Sequence, residues 1–98
     1  MKVKYAKDDL LRIVTDISFT DGFGHDVIRQ YRKRIQMIEG AEDERDFYSF
    51  KSLHFEKLSG ARSHQHSMRL NDQWRLILEI EPGTPKNTIV VASIEDYH

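Results

Sequence analysis

The sequence predicts an α+β fold: a short N-terminal strand, then two to three helices, packed on an antiparallel-rich sheet of about four strands. Three observations carry this. Apolar residues recur at helical spacing up to about residue 53 and alternate from residue 65 onward. The polar turn Asn71-Asp72-Gln73 separates two alternating runs. With 98 residues and no composition shift or Gly/Pro-rich linker, the chain reads as one domain with enough core to fold without disulfides.

Lys2-Val3-Lys4-Tyr5 alternates and reads as the first strand. Asp8 and Asp9 then precede Leu10, Leu11, Ile13 and Val14, so a helix is expected from about Asp8 to Asp16, its acids favouring the helix dipole and able to cap free amides. Thr20-Asp21-Gly22-Phe23-Gly24 breaks it, with glycines able to take positive φ. The second helix has the clearest pattern: Val27, Ile28, Tyr31, Ile35 and Ile38 share one side, Arg29, Lys33 and Gln36 the other, and Gly40 suits its end. Its basic outer side is expected to be a solvated face. Phe47, Phe50 and Leu53, at helical spacing, predict one or two turns that drop aromatics into the core.

Strands are expected over Gln65–Leu70, Trp74–Glu81 and Thr88–Asp96, with Pro82 to Asn87 as a loop. Their register follows from side-chain alternation. A three-residue loop at Asn71-Asp72-Gln73 pairs Leu70 with Trp74 and Met68 with Leu76, which makes one apolar face continuous; a two-residue loop would split it. The same register sets Arg69 opposite Arg75 on the other face. Like charges across strands are unfavourable, so compensation is expected from internal acids such as Glu79 or Glu95, or from an external anion suited to two guanidinium forks.

Composition excludes several functions. No cysteine means no disulfide, thiol nucleophile or cysteine-based metal site, in keeping with a reducing cytoplasm. Lys7-Asp8-Asp9 interrupts the N-terminus before any long apolar segment, so neither a signal peptide nor a membrane span is expected. The net charge of −1 gives no strongly basic surface, although cations gather in residues 26 to 38 and acids in residues 39 to 46. His64-x-His66 has metal-ligand spacing, but no third ligand is evident nearby and His66 falls on the apolar face, so no metal is expected. His54, taken singly, reads as a surface or partly buried histidine. Beside Arg69, Arg75 and a terminal His98 it becomes a candidate for chemistry.

The runs Lys51-Ser52-Leu53-His54-Phe55-Glu56-Lys57-Leu58-Ser59-Gly60 and Gln65-His66-Ser67-Met68-Arg69-Leu70-Asn71-Asp72-Gln73-Trp74-Arg75-Leu76, with the closing Ile94-Glu95-Asp96-Tyr97-His98, closely resemble HigB-type toxins of the RelE/ParE toxin-antitoxin superfamily. The resemblance covers the C-terminal half and the basic second helix; the first twenty-five residues fit in length and element order. It implies a compact RelE-like fold in a cytoplasmic bacterial protein, and ribosome-dependent messenger RNA cleavage without metal or other cofactor. It also implies a HigA-type helix-turn-helix antitoxin as partner, with operator DNA met only through that antitoxin. Carried over by position, His54, Asp96, Tyr97 and His98 match the catalytic residues, and Lys57, Arg62, Arg69 and Arg75 match those facing RNA phosphates.

Cleavage through the RNA 2′-hydroxyl needs a proton acceptor, a proton donor and cations for the phosphorane. His54 and His98 would serve as the acid/base pair in either order. Tyr97 would stack on or position a base, Asp96 would orient an imidazole, and the α-carboxylate on His98 would favour its protonated form, so that a C-terminal tag is expected to lower cleavage. Two departures stand out. Ala61 replaces a usual acid or amide, which alters loop geometry only, and the near-neutral charge bears on how tightly a ribosome is held. Two other readings remain: a ParE-like gyrase inhibitor, which needs no acid/base residues, and a degenerate module that only binds its antitoxin.

Overall fold

The structure, a computed structural model, describes residues 1–96. Strand β1 (Lys2–Tyr5) leads into helices α1 (Asp8–Thr15), α2 (His25–Gly40) and the short α3 (Asp46–Ser49), after which come strands β2 (Glu56–Lys57), β3 (Gln65–Arg69), β4 (Trp74–Glu81) and β5 (Thr88–Asp96). The five strands form one sheet in the order β1-β5-β4-β3-β2. Only β1 runs parallel to its neighbour, Val3 lying opposite Ile89; the remaining pairs are antiparallel.

The α+β layout is as expected, with one strand more. β2 is two residues long, with Glu56 opposite Ser67 and Lys57 opposite His66. Two residues carry no periodicity, so nothing in the sequence announces it. The three-residue turn is confirmed: Met68 pairs with Leu76, Arg69 with Arg75, and the Leu70 amide donates to the Trp74 carbonyl at 2.9 Å.

One expectation about α1 needs correction. Lys7, not an aspartate, is the N-cap of α1, with no side-chain cap, so Asp8 and Asp9 act through the helix dipole alone. Gly40 ends α2, as expected, and the N-terminal ammonium donates to the carbonyls of Glu39 and Ala41 at 2.7 and 3.0 Å. At the break before α2, Gly22 does take positive φ, at 80°.

All three helices lie against one face of the sheet, where Ile13, Tyr31, Ile35, Ile38 and Phe47 pack with Met68, Leu76, Leu78, Ile89 and Val91, each fully buried. The Tyr31 hydroxyl donates to the Leu10 carbonyl at 2.7 Å and locks α2 to α1, and burial pushes its ionisation far above the ordinary tyrosine value. The expected burial of Phe50 fails. α3 stops at Ser49 and Phe50 is extended, so the spacing from Phe47 no longer follows a helix and Phe50 is 53% exposed.

Arg29, Lys33 and Gln36 form an exposed face of α2, as expected, while two other arginines of the helix are engaged. Arg32 folds back over the end of α1, donating to the carbonyls of Ile13 at 2.9 Å and Ile17 at 3.1 Å. These carbonyls have no helical partner of their own, and a cation there also suits the dipole. Arg34 reaches the opposite way, its Nε donating to the Arg69 carbonyl at 3.1 Å.

Strand β5 contains a bulge. Ile77 faces Ser93 but Leu78 faces Val91, so Ala92 has no partner on β4. Ile89 and Val91 point to the helices, and beyond the bulge Ile94 does so too, opposite Leu76. Ser93 and Glu95 are thereby sent to the face of Ile77 and Arg75, away from the helices.

Candidate functional site

That helix-free face carries Gln65, Ser67 and Arg69 from β3 and Arg75, Ile77 and Glu79 from β4, by simple alternation. Two clefts open over it. The first, about 330 Å³, is lined by His54, Glu56, Arg69, Asn71, Asp72 and Arg75. The second, about 220 Å³, is lined by Leu58, Arg62, Ser67, Arg75, Ile77, Glu95 and Asp96. Arg75 belongs to both.

His54 enters the first cleft through an unusual backbone. It caps the three-ten turn Lys51–Leu53 in the left-handed region, at φ 47° and ψ 47°. Non-glycine residues rarely adopt this conformation, which persists where its surroundings impose it. Here Leu53 and Phe55 are both buried on either side, which leaves the His54 side chain exposed between two anchors.

Arg75 is only 8% exposed. Its Nε and one terminal nitrogen donate to Ser67 Oγ at 3.0 and 2.8 Å, that nitrogen also reaches the His54 carbonyl at 2.5 Å, and Glu56 lies 3.8 Å away. Arg69 is more open and pairs with Asp72 of the turn. The like-charged pair is therefore not balanced by Glu79 or Glu95, as the sequence suggested. Glu79 accepts from Gln65 at 3.0 Å, and Glu95 takes a two-pronged contact from Arg62 at 2.9 and 2.8 Å, although its backbone stands opposite Arg75. Nearer acids, Glu56 and Asp72, take their place.

The Arg62 contact and Ser93 hold the Glu95 carboxyl below the usual carboxylate range, and the same contact raises Arg62. Asp96, opposite Trp74 at the end of β5, accepts from Gln73 Nε2 at 2.9 Å. The cation cluster extends to α2: half-buried Arg34 is held below its ordinary value by burial and then by the neighbouring charge of Arg69.

The fold thus joins His54, Arg69 and Arg75 in one cleft and Arg62, Arg75 and Asp96 in the other. Lys57 lies on β2 opposite His66, exposed, and lines neither. Tyr97 and His98 lie outside the described residues. His66 stacks on Phe55 with ring centroids 5.0 Å apart, and its Nδ1 is buried with no hydrogen-bond partner among the described residues. His64 lies 4.0 Å from Glu79. Sequence reasoning missed Ser67, Glu56 and Arg34. A serine in an alternating strand carries no signal of burial, and Arg34 read only as one of the cations gathered in residues 26 to 38.

The fold and site define a small α+β protein with cationic clefts on one face of its sheet, and comparison with known proteins supplies the family. Residues 4–98 match the family described as RelE-like toxin of type II toxin-antitoxin system HigB, and the chain belongs to this HigB-like family. It is a toxin whose system supplies an antitoxin as partner. No curated protein matches it. Among solved structures, a YoeB/ParE toxin from Agrobacterium tumefaciens superposes with a TM-score of 0.63 at 14% identity, covering 100% of both chains. YafQ from E. coli strain BL21(DE3) superposes at 0.61 and 9% identity, covering 98% of this chain and 92% of that one. At such identities the likeness is one of fold. No helix among the described residues is long and apolar enough to cross a membrane.

Proposed function

We propose that this toxin is an mRNA endoribonuclease that cuts messenger RNA on the ribosome in the cytoplasm, restrained by a HigA-type antitoxin through which alone it meets operator DNA. The reading rests on its HigB-like family and on one observation, the exposed His54 standing in a cleft with Arg69 and Arg75. The RNA 2′-oxygen attacks the adjacent phosphorus as a base takes the hydroxyl proton; the bond to the 5′-oxygen breaks as an acid returns a proton to it, leaving a cyclic phosphate and a 5′-hydroxyl. His54 and His98 are the proposed pair.

Arg69 is suited to the phosphorane because its partner Asp72 has a side chain 96% exposed and is readily displaced by a phosphate. Arg75 adds its charge to the cleft from beneath. Lys57 and Arg62 would follow the RNA backbone, Tyr97 would stack on a base and Asp96 would orient an imidazole.

Mapping RNA ends in a translating extract tests this. Wild-type protein is expected to cut message at the ribosomal A site, and His54→Ala to lose those cuts. If His54→Ala and His98→Ala both arrest growth as well as wild type, the nuclease assignment fails and a ParE-like inhibition of gyrase takes its place. A harmless wild type would leave an antitoxin-binding module.

A further inference from the structure

We propose that Ser67 is a positioning residue for His54, acting through Arg75. This rests on the reading of His54 as an acid or base in RNA cleavage. Ser67 is 1% exposed, in the middle of β3, opposite Ile77 on one side and Glu56 on the other. A buried hydroxyl must be satisfied, and this one accepts from the Arg75 guanidinium at 3.0 and 2.8 Å across the diagonal of the β3–β4 pair.

The two contacts fix the plane of the guanidinium fork, and the same terminal nitrogen meets the His54 carbonyl at 2.5 Å. That carbonyl belongs to a left-handed residue. The chain from Ser67 to Arg75 to the His54 carbonyl is a clamp from the rigid centre of the sheet to the least regular backbone in the cleft. Leu53 and Phe55 decide that the His54 side chain faces outward; the clamp decides which way the peptide after it points. On this view the position of Arg75 matters more than its charge.

The test uses the full-length toxin in two variants. Ser67→Ala removes the acceptor at almost unchanged volume, and Arg75→Lys keeps the charge while removing the fork. Two readouts are taken: the His54 backbone amide and Hα chemical shifts, which report the left-handed conformation without any substrate, and the single-turnover cleavage rate on saturating programmed ribosomes. Near-ultraviolet circular dichroism confirms the fold.

Both variants are expected to move or broaden the His54 signals and to slow the single-turnover step about tenfold or more, with the ribosome concentration for half-saturation unchanged. Unchanged His54 shifts and rate in Ser67→Ala overturn the proposal. So does an Arg75→Lys protein equal to wild type, since charge alone would then suffice. If wild type cuts no RNA, the nuclease reading fails while the His54 shifts still decide whether the clamp exists.

Discussion

Asn71 Nδ2 donates to Asp26 Oδ2 at 2.9 Å, tying the tip of the β3–β4 hairpin to the first turn of α2 across 45 residues of sequence. The other end of the same amide is also engaged. Asn71 Oδ1 accepts from the amides of Gln73 at 2.9 Å and Trp74 at 2.8 Å, so one side chain closes the turn and fastens it. The Arg34 contact to the Arg69 carbonyl is a second fastening, and between them they fix the strand end that presents Arg69.

Replacing Asn71 with aspartate separates these roles. Aspartate keeps the turn acceptor but sets a second carboxylate against Asp26, whose carboxyl Asn71 and then Arg29 now hold below the usual range. Asn71→Asp is expected to be less stable than wild type at pH 7, with the gap closing as both acids protonate below about pH 4. Asn71→Ala loses the turn acceptor, which should cost about 1 kcal/mol at acid pH as removal of a cap does, and at pH 7 it loses the contact to ionised Asp26 as well. Urea midpoints at pH 7 and pH 3 distinguish the two.

Glu95 stabilises the fold where it is ionised. Because Arg62 and Ser93 depress its carboxyl, its contribution is present above the ordinary carboxylate value of about 4 and is lost as pH falls through the depressed one. Glu95→Gln should therefore flatten the acid side of the stability profile. It also releases Arg62, so binding to ribosomes should strengthen at low salt and its log–log salt slope should steepen by about 1. An unaltered slope would show that Arg62 does not meet phosphate.

The partly buried imidazole of His66 gives the acid branch a second origin at higher pH. Burial, and then the charge of Lys57, lower its pKa, so the unfolded chain takes up this proton before the folded protein does. Stability is then expected to fall as pH drops below about 6.5, the ordinary histidine value. His66→Phe keeps an aromatic ring on Phe55 and removes the charge. Thermal midpoints of this variant should lose part of the decline between pH 7 and pH 5 while the carboxylate-linked decline below pH 4 remains.

The fold was legible where apolar residues recur over a long span. α2 and the β3–β4 register follow directly from Ile35, Ile38, Met68 and Leu76, because burying one face leaves a single phase for each element. What escaped has local causes. β2 is too short to show a period, and Phe50 was misjudged because α3 ends one residue before it. Of the candidate site, the juxtaposition of Arg69 and Arg75 was readable from register, and His54 from its neighbours in sequence. The partners were not readable. Glu95 lies opposite Arg75 yet bonds Arg62, and the tie between Ser67 and Arg75 depends on rotamers that sequence does not encode singly.

The unpaired Ala92 divides β5 into two segments that answer to different demands. Before it, Ile89 and Val91 are held by the packing of the helices; after it, Ser93 and Glu95 belong to the cleft. A substitution on one side of Ala92 is therefore insulated from the other, while straightening the bulge at unchanged length would exchange the faces, setting Ser93 opposite Leu76 and turning Glu95 toward the helices. Within this strand the chemistry of the cleft is free to diverge among related toxins by substitution, provided that Ser93 and Glu95 keep the face that the step at Ala92 gives them.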